Sequence, residues 1–510
     1  MIISLSVLVI TIIVSGTYAL YKAQLSKNIG VNTTTHGLAY YINYVKGTDI
    51  TAATLNPSTS YEGGASSDIE FWKKDDSYDI YGKIELTVNT IGTNLSNSPA
   101  LKYAVVNNGN VLKEGSLKGT TSGSKVTILK NLYLEQTKQI YTVYVWLDNS
   151  EELGNISNES LSISVDCTAS LQKEPTAADT IISLYTSAAK VTATNNSITY
   201  NTAPSVSLMN DRLGGTTTDL DGGNIRYYGA NPNNYIYFNC SDYSNQTSST
   251  CETWRIIGVF DGKLKLIKGS QIGTYSWDNK NISTGAEDDR GKNDWTTARL
   301  MKILNPDDYY INDNNDKDSE GNYLGYSLYY NSASGMCFTD EGVNYSACDF
   351  TSTGIKNDET RNMIAETTYN LGGWNDTGVY PNEIYEYERG TTVYTGRPTT
   401  WTGKIALAYP SDYGYAADLN QCKQTLANYD NSTCTSNNWM KAIITDNGSN
   451  HGWLLTPDSS YSYVAWYSQG NVGEYFTGAA RGAVPVLSLS SKLGIESGDG
   501  SSSNPYKLSA

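Results

Sequence analysis

Histidine is nearly missing: the 510 residues contain two, His36 and His451. That leaves no material for a multi-His metal centre and almost none for His-based catalysis within one chain. Basic residues are short as well, 36 Lys plus Arg against 52 Asp plus Glu, so the net charge is −16. Phosphate binding runs on Lys/Arg neutralisation, so nucleic acid is excluded as a partner and electrostatic docking on anionic membranes is disfavoured. Charged residues make up only 17% and hydrophobic ones 39%, too apolar a balance for a disordered chain. Phenylalanine is scarce at 6, whereas Tyr reaches 41, beside 10 Trp and 45 Gly. Such a mix favours β-rich structure with many turns and surfaces that recognise through amphipathic rings. At about 150 residues per domain the length allows two to four domains.

The N-terminus points to export. Ile2 to Val14 is almost unbroken apolar sequence, and no charge appears before Lys22. The run has the length of a signal-peptide core, with Thr17-Tyr18-Ala19 as a cleavage site, but the usual positive start is absent. Residues 1–21 are therefore a signal peptide or a membrane anchor, residues 2–21 supplying the anchor. Six of the seven cysteines form close pairs: Cys240 with Cys251, Cys337 with Cys348, Cys422 with Cys434. No pair has the CxxC spacing of a zinc or redox site, and each brackets polar sequence, so three disulfide-closed loops are expected. Cys167 is left over at the end of a strand-like run and reads as a buried free thiol.

The chain divides near residue 170. Residues 30–171 carry short alternating runs, such as Asp79 to Ile91, Leu101 to Val106, Val126 to Leu134 and Ile140 to Leu147, with Asn107-Asn108-Gly109 as a turn. Seven or eight strands at this spacing predict an all-β, immunoglobulin-like sandwich. Residues 172–204 read as a connector containing a helix over Thr176 to Lys190, with Thr176 and Asp179 as its N-terminal cap. Residues 205–510 form an α+β domain. Its expected strands include Glu252 to Gly258 and Lys263 to Lys268 around Asp261-Gly262, then Trp453 to Leu455, Tyr463 to Tyr467, Asn471 to Phe476 and Val484 to Leu489. Helices are expected over Asp294 to Leu304, Glu359 to Leu371, Ala416 to Tyr429 and Trp439 to Thr445.

Catalytic constellations are absent from the sequence. Asp316, Asp318 and Glu320, followed by Gly321, match the first half of an EF-hand-type loop, but the bidentate Glu is replaced by Ser327. Calcium is thus the one candidate cation and no other cofactor is expected. Trp374-Asn375-Asp376 is similar to the calcium-ligating tripeptide of C-type lectins, without its acidic partner stretch in the expected place. His451 reads as a turn residue, since no nucleophile-elbow motif exists. The segment Thr456 to Ala480 is dense in Tyr, Ser, Gly and Asn, the composition of recognition loops in which rigid rings supply area and small polar residues adapt.

Glu252-Thr253-Trp254-Arg255-Ile256-Ile257-Gly258, Leu264-Lys265-Leu266-Ile267, Gly452-Trp453-Leu454-Leu455-Thr456-Pro457 and Gly482-Ala483-Val484-Pro485-Val486-Leu487 carry a further resemblance. With them, the C-terminal part resembles a surface-protein family of Gram-positive gut bacteria with a C-type-lectin-like fold of the formylglycine-generating-enzyme branch. The catalytic cysteine pair of those enzymes is not recognisable, so their oxidase activity is not implied. The layout also resembles the variable proteins of diversity-generating retroelements. That resemblance implies ligand binding through displayed positions drawn from Ser459, Tyr461, Tyr463, Trp466, Ser468, Asn471, Glu474, Tyr475 and Thr477. The N-terminal part resembles the camelysin and biofilm-fibre β-sandwich proteins. The expectation is a bacterial, extracellular or cell-surface, non-enzymatic adhesion protein that binds a protein or glycan on another cell or host surface. A structural fibre or matrix subunit is the alternative. An extracellular hydrolase using acids such as Asp412, Asp418 or Glu366 would need two carboxylates converging in one cleft.

Overall fold

The computed structural model describes residues 41–51, 55–151, 153–156, 158–212, 223–279, 290–312, 317, 321, 324–339, 345–448 and 450–509. The apolar N-terminal run and the calcium candidates Asp316, Asp318 and Glu320 lie outside these residues. Among the described residues no helix is long and apolar enough to cross a membrane. The chain forms two compact units, Met1–Glu174 and Pro175–Ala510.

The first unit is built from two sheets, and its alternating sequence is the reason. In Tyr81–Ile91 and Ala65–Lys73 every second side chain is buried, so each strand gives one face to a core. One sheet has the order Ile42–Val45, Ala65–Lys73, Ile140–Asp148, Leu101–Asn107, Asn110–Ser116, with Pro57–Ser58 beside Ile140–Asp148. The other runs Ile50–Thr51, Leu161–Ser170, Tyr81–Ile91, Lys125–Tyr133. Ile69, Phe71, Val143 and Val145 from the first meet Ile84, Leu86, Val88 and Val165 from the second in one core. The hairpin Leu101–Asn107/Asn110–Ser116 turns at Asn108 and Gly109, both at positive φ (50° and 77°), the conformation that matches strand twist in two-residue turns. Cys167 is buried and unpaired in this core, and burial raises its thiol pKa well above the ordinary value.

The second unit begins earlier than the sequence implies. Residues 177–203 are part of it and not a connector. Thr176 caps the helix Ala177–Ser187 through a full capping box with Asp179. That helix puts Ala177, Ala178, Ile181 and Tyr185 into the core shared with Trp254, Trp277 and Trp453. The following hairpin, Val191–Asn195 with Ile198–Ala203, opens a nine-stranded sheet that continues through Leu208–Asn210, Ile225–Tyr227, Glu252–Phe260, Lys263–Lys268, Val486–Ser488 and Ile405–Ala406, with Tyr235–Phe238 paired alongside. Hydrophobic periodicity could not separate a packed helix from a linker helix, because both need an apolar face.

Three expected helices are shorter or displaced. Glu359 to Leu371 splits into the helix Asp358–Met363, capped by Asn357, and the strand Thr367–Asn370, which pairs with Thr400–Gly403. β-Branched Thr367 and Thr368 favour the strand. The helix expected over Ala416 to Tyr429 lies earlier, at Pro410–Tyr415, with Pro410 in the first turn, where its missing N–H costs nothing. Asp294 to Leu304 is helical only over Arg299–Leu304, since the Asp294 carboxylate binds the Thr296 N–H and holds a turn. All three expected disulfides are present: Cys240–Cys251, Cys337–Cys348 and Cys422–Cys434. Such a set marks a chain folded in an oxidising compartment.

A buried ion network ties the nine-stranded sheet to its covering helices. Arg226 donates from Nε to Asp211 at 2.5 Å and from Nη1 to Asp412 at 2.9 Å, and Lys265 also pairs with Asp412. Arg389 pairs with Glu388 at 3.0 Å, while the Ser411 N–H donates to Glu388 at 2.9 Å. Burial alone would raise the Asp412 pKa, but the Lys265 and Arg226 charges outweigh it and hold the carboxyl below its ordinary value.

Candidate ligand-binding face of the five-stranded sheet

The segment singled out by composition folds into a second sheet of order Thr274–Ser276, Ala480–Gly482, Gly452–Pro457, Val464–Ser468, Val472–Phe476. Val464–Ser468 and Val472–Phe476 make a hairpin in which Ala465 faces Tyr475, Trp466 faces Glu474 and Tyr467 faces Gly473. Period-two alternation divides the hairpin's side chains between two faces. Tyr467 and Tyr475 share one with Ala465; Trp466 and Glu474 share the other. Gly473 has a function in this arrangement: a Cβ there would meet the Tyr467 ring at 3.0 Å, so glycine lets that ring lie close across the strand without shifting.

Ring contacts run along the hairpin, with Phe476 belonging by alternation to the Glu474 face and touching Tyr475 from its own strand. Successive centroid distances are 6.0 Å for Tyr461–Tyr463, 5.6 Å for Tyr463–Phe476, 5.1 Å for Phe476–Tyr475, 6.3 Å for Tyr475–Tyr467 and 5.4 Å for Tyr467–His451. Two guanidiniums sit against these rings, Arg290 at 3.7 Å from the Tyr463 centroid and Arg481 at 3.9 Å from Tyr467 and 4.2 Å from Tyr475. Tyr461 is 55% exposed and Tyr475 41%, in a unit whose large rings are mostly enclosed.

The turn presenting Tyr461 is rigidly supported. Asp458 accepts the Ser460 and Tyr461 N–H groups at 2.5 and 2.7 Å. Buried Asn293 reaches the carbonyls of Asp458, Tyr461 and Val464 at 2.8, 2.8 and 3.0 Å, and Arg397 holds the Ser462 carbonyl at 3.0 Å. A displayed ring held this way loses little freedom on contact with a ligand.

The sequence-derived positions separate by burial. Tyr461 and Tyr475 are exposed, while Ser459, Tyr463, Asn471 and Glu474 are half-buried. Asn471 donates to the Ala427 carbonyl at 3.2 Å. Trp466, Ser468 and Thr477 are each 0% exposed and are corrected here to supporting residues. Trp466 lies in the apolar cluster with Leu454, Val472 and Tyr413 and donates from its indole to the Trp374 carbonyl at 3.2 Å. Ser468 accepts the Gly470 N–H at 3.2 Å, and Thr477 donates to the Arg290 carbonyl at 2.8 Å. Tyr467, Phe476 and Arg481 belong to the run although the sequence did not single them out as binding positions, and His451, read from sequence as a turn residue, joins them. The two-residue spacing of Tyr463, Ala465 and Tyr467 was the available signal; the approach of Arg481 and His451 from neighbouring strands left none.

Acidic groups cluster behind the band. Asp458 is fully enclosed and hydrogen-bonds Glu474. Burial raises both pKa values, Glu474 to about 7, with the Asp458 and Asp376 charges adding to the effect. Of the acids weighed for hydrolysis, Asp412 belongs to the buried ion network, Glu366 is exposed and accepts Tyr309 at 2.9 Å, and Asp418 holds the Asn420 N–H at 2.9 Å. The Trp374-Asn375-Asp376 tripeptide is a turn, with Asn375 donating to Ser460 at 2.8 Å and Asp376 accepting the Gly378 N–H at 2.7 Å. No group of three metal-ligating side chains occurs among the described residues.

The raised Glu474 pKa has a measurable consequence. Between its ordinary value of 4.5 and about 7 the folded chain keeps a proton that the unfolded chain releases, so the Glu474 contribution to stability is present at low pH and lost as pH rises through that window. Glu474→Gln keeps a neutral partner for Asp458 at every pH. Its melting temperature relative to the natural chain is expected to be higher at about pH 7.5 than at about pH 5. An equal difference at both pH values would show that Glu474 titrates normally.

No family model and no curated protein matches the chain. Among solved structures, an acetyl xylan esterase from the rumen bacterium Butyrivibrio proteoclasticus is 11% identical, with a TM-score of 0.14, covering 27% of this chain and 35% of that one. A mutant of HCR/D is 11% identical over 53% of this chain and 77% of that one, with a TM-score of 0.15. The PBCV-1 virus capsid is 11% identical over 43% and 59%, with a TM-score of 0.13. The chain spans about a third of the esterase, and scores this low define neither fold nor activity.

Proposed function

We propose that the protein is an exported bacterial cell-surface binder without enzymatic activity, whose second unit recognises a protein or glycan ligand through the ring band of the five-stranded sheet. One observation carries the reading: exposed Tyr461 and Tyr475 stand at the end of and within a run of ring contacts on a rigidly braced hairpin. Large exposed rings on an ordered frame are the composition and rigidity of a recognition surface. The C-type-lectin-like fold and a variable protein of a diversity-generating retroelement are the finer forms of this proposal.

The fibre-subunit alternative has support of its own in the first unit. Asn110–Ser116 is an edge strand of its sheet, and Val111 and Leu112 are 43% and 38% exposed on it. Exposed apolar edge strands pair with other chains. Probing the purified full-length chain against immobilised glycans and extracellular proteins separates the two readings. Saturable binding by dispersed chains is expected; filaments that bind no probe would replace the adhesion reading with the structural one.

A further inference from the structure

We infer that the His451–Arg481 end of the ring band is a subsite for a single carboxylate carried by an acidic sugar residue. This deepens the ligand-binding proposal and rests on it. Arg481 is 9% exposed, yet no carboxylate accompanies it among the described residues. Several other cations of the unit have one: buried Arg226 and Lys265 pair with Asp412, buried Lys268 with Glu252 and half-buried Arg389 with Glu388, while buried Arg299 donates to Asn279 Oδ1 at 3.2 Å and buried Lys302 to the Tyr326 hydroxyl at 3.3 Å. Arg255 also lacks a carboxylate, but it donates to Asn234 Oδ1 at 2.5 Å and to the Pro232 carbonyl at 3.2 Å. Among the described residues Arg481 has no oxygen acceptor. Its Nη1 meets His451 Nδ1 at 2.6 Å, and its enclosed Nε has no partner. Guanidinium without an anion, held between Tyr467 and Tyr475, is a recognition group waiting for its acceptor.

His451 fixes the guanidinium from one side. A guanidinium can only donate, so Nδ1 accepts and the imidazole is the neutral tautomer protonated at Nε2. Burial and the Arg481 charge both lower its pKa, which keeps that tautomer at neutral pH. The ring itself is exposed. A lone guanidinium suits a single negative charge, and a net charge of −16 opposes polyanions. The 41% exposed Tyr475 ring beside the guanidinium offers a flat amphipathic surface for the face of a pyranose while the carboxylate reaches Arg481.

Saturation-transfer NMR on the full-length chain tests this with methyl β-D-glucuronide, its methyl ester, methyl β-D-glucoside and N-acetyl-glutamate N-methylamide. The glucuronide is expected to bind at least about tenfold more tightly than the ester or glucoside, and Arg481→Met to lose that advantage while Arg481→Lys keeps part of it. If Arg481→Met does not fold, the acid–ester comparison on the natural chain and Arg481→Lys decide. Equal binding of acid and ester, weakened by Tyr475→Ala, would overturn the carboxylate subsite and leave the ligand-binding proposal standing. Tighter binding of the glutamate derivative than of the glucuronide would overturn the sugar in favour of an acidic peptide. Absence of glucuronide binding up to about 20 mM would overturn the subsite outright.

Discussion

Replacing Asp412 by alanine is expected to destabilise the second unit by about 3–5 kcal/mol, the cost of leaving enclosed charges without their partner. Asp412 is 1% exposed and receives both Arg226 and Lys265, while its second role is to accept the Tyr409 N–H at 3.1 Å. Removing it leaves enclosed Lys265 without a carboxylate and Arg226 with Asp211 alone, where water cannot reach them. The Asn variant is expected to cost nearly as much, because it keeps the shape and loses the charge. Asp418→Ala, at a half-buried acid that holds one turn N–H, is expected to cost about 1 kcal/mol or less. Urea unfolding of the three variants checks the order. Equal, small losses would mean that the network is hydrated and contributes little; they would also reopen Asp412 as an accessible acid.

Trp466→Ala is expected to cost about 3–5 kcal/mol, the usual range for emptying a fully packed indole site. Trp466 is completely enclosed, contacts the cluster around Leu454 and Tyr413, and gives its N–H to the Trp374 carbonyl. Tyr461→Ala and Tyr475→Ala, at half-exposed rings on the same hairpin and its turn, are each expected to cost about 0.5 kcal/mol or less. The contrast separates support from display within the fifteen residues from Tyr461 to Tyr475. A melting temperature unchanged in Trp466→Ala would contradict the packing described for this sheet.

Much of the fold was legible wherever local chemistry decides it. Alternation gave the strands of the first unit, Asn108-Gly109 and Asp261-Gly262 gave tight turns, and Thr176 with Asp179 gave the helix start. Cysteine spacing gave all three disulfides. What failed was whatever depends on partners distant in sequence. Thr367–Asn370 became a strand because Thr400–Gly403 lies beside it, and the helix Ala177–Ser187 became core because Trp254 and its neighbours receive it. At the candidate site, composition located the hairpin, but burial had to sort its residues. Trp466 and Tyr467 are adjacent and chemically alike, and only the pleat sends one inward and leaves the other against Arg481. Arg481 and His451 join the band from two further strands, across 30 residues, which no local pattern encodes.

The ring band as a ligand surface is tested most directly by the double variant Tyr461→Ala/Tyr475→Ala of the full-length chain. Binding to the probe selected from the glycan and protein panel would be measured beside its melting temperature. The account predicts a loss of at least about tenfold in affinity, the range of aromatic anchors at interfaces, with a melting temperature within a few degrees of the natural chain. Undiminished binding by a folded double variant would contradict it and move the recognition surface elsewhere on the protein.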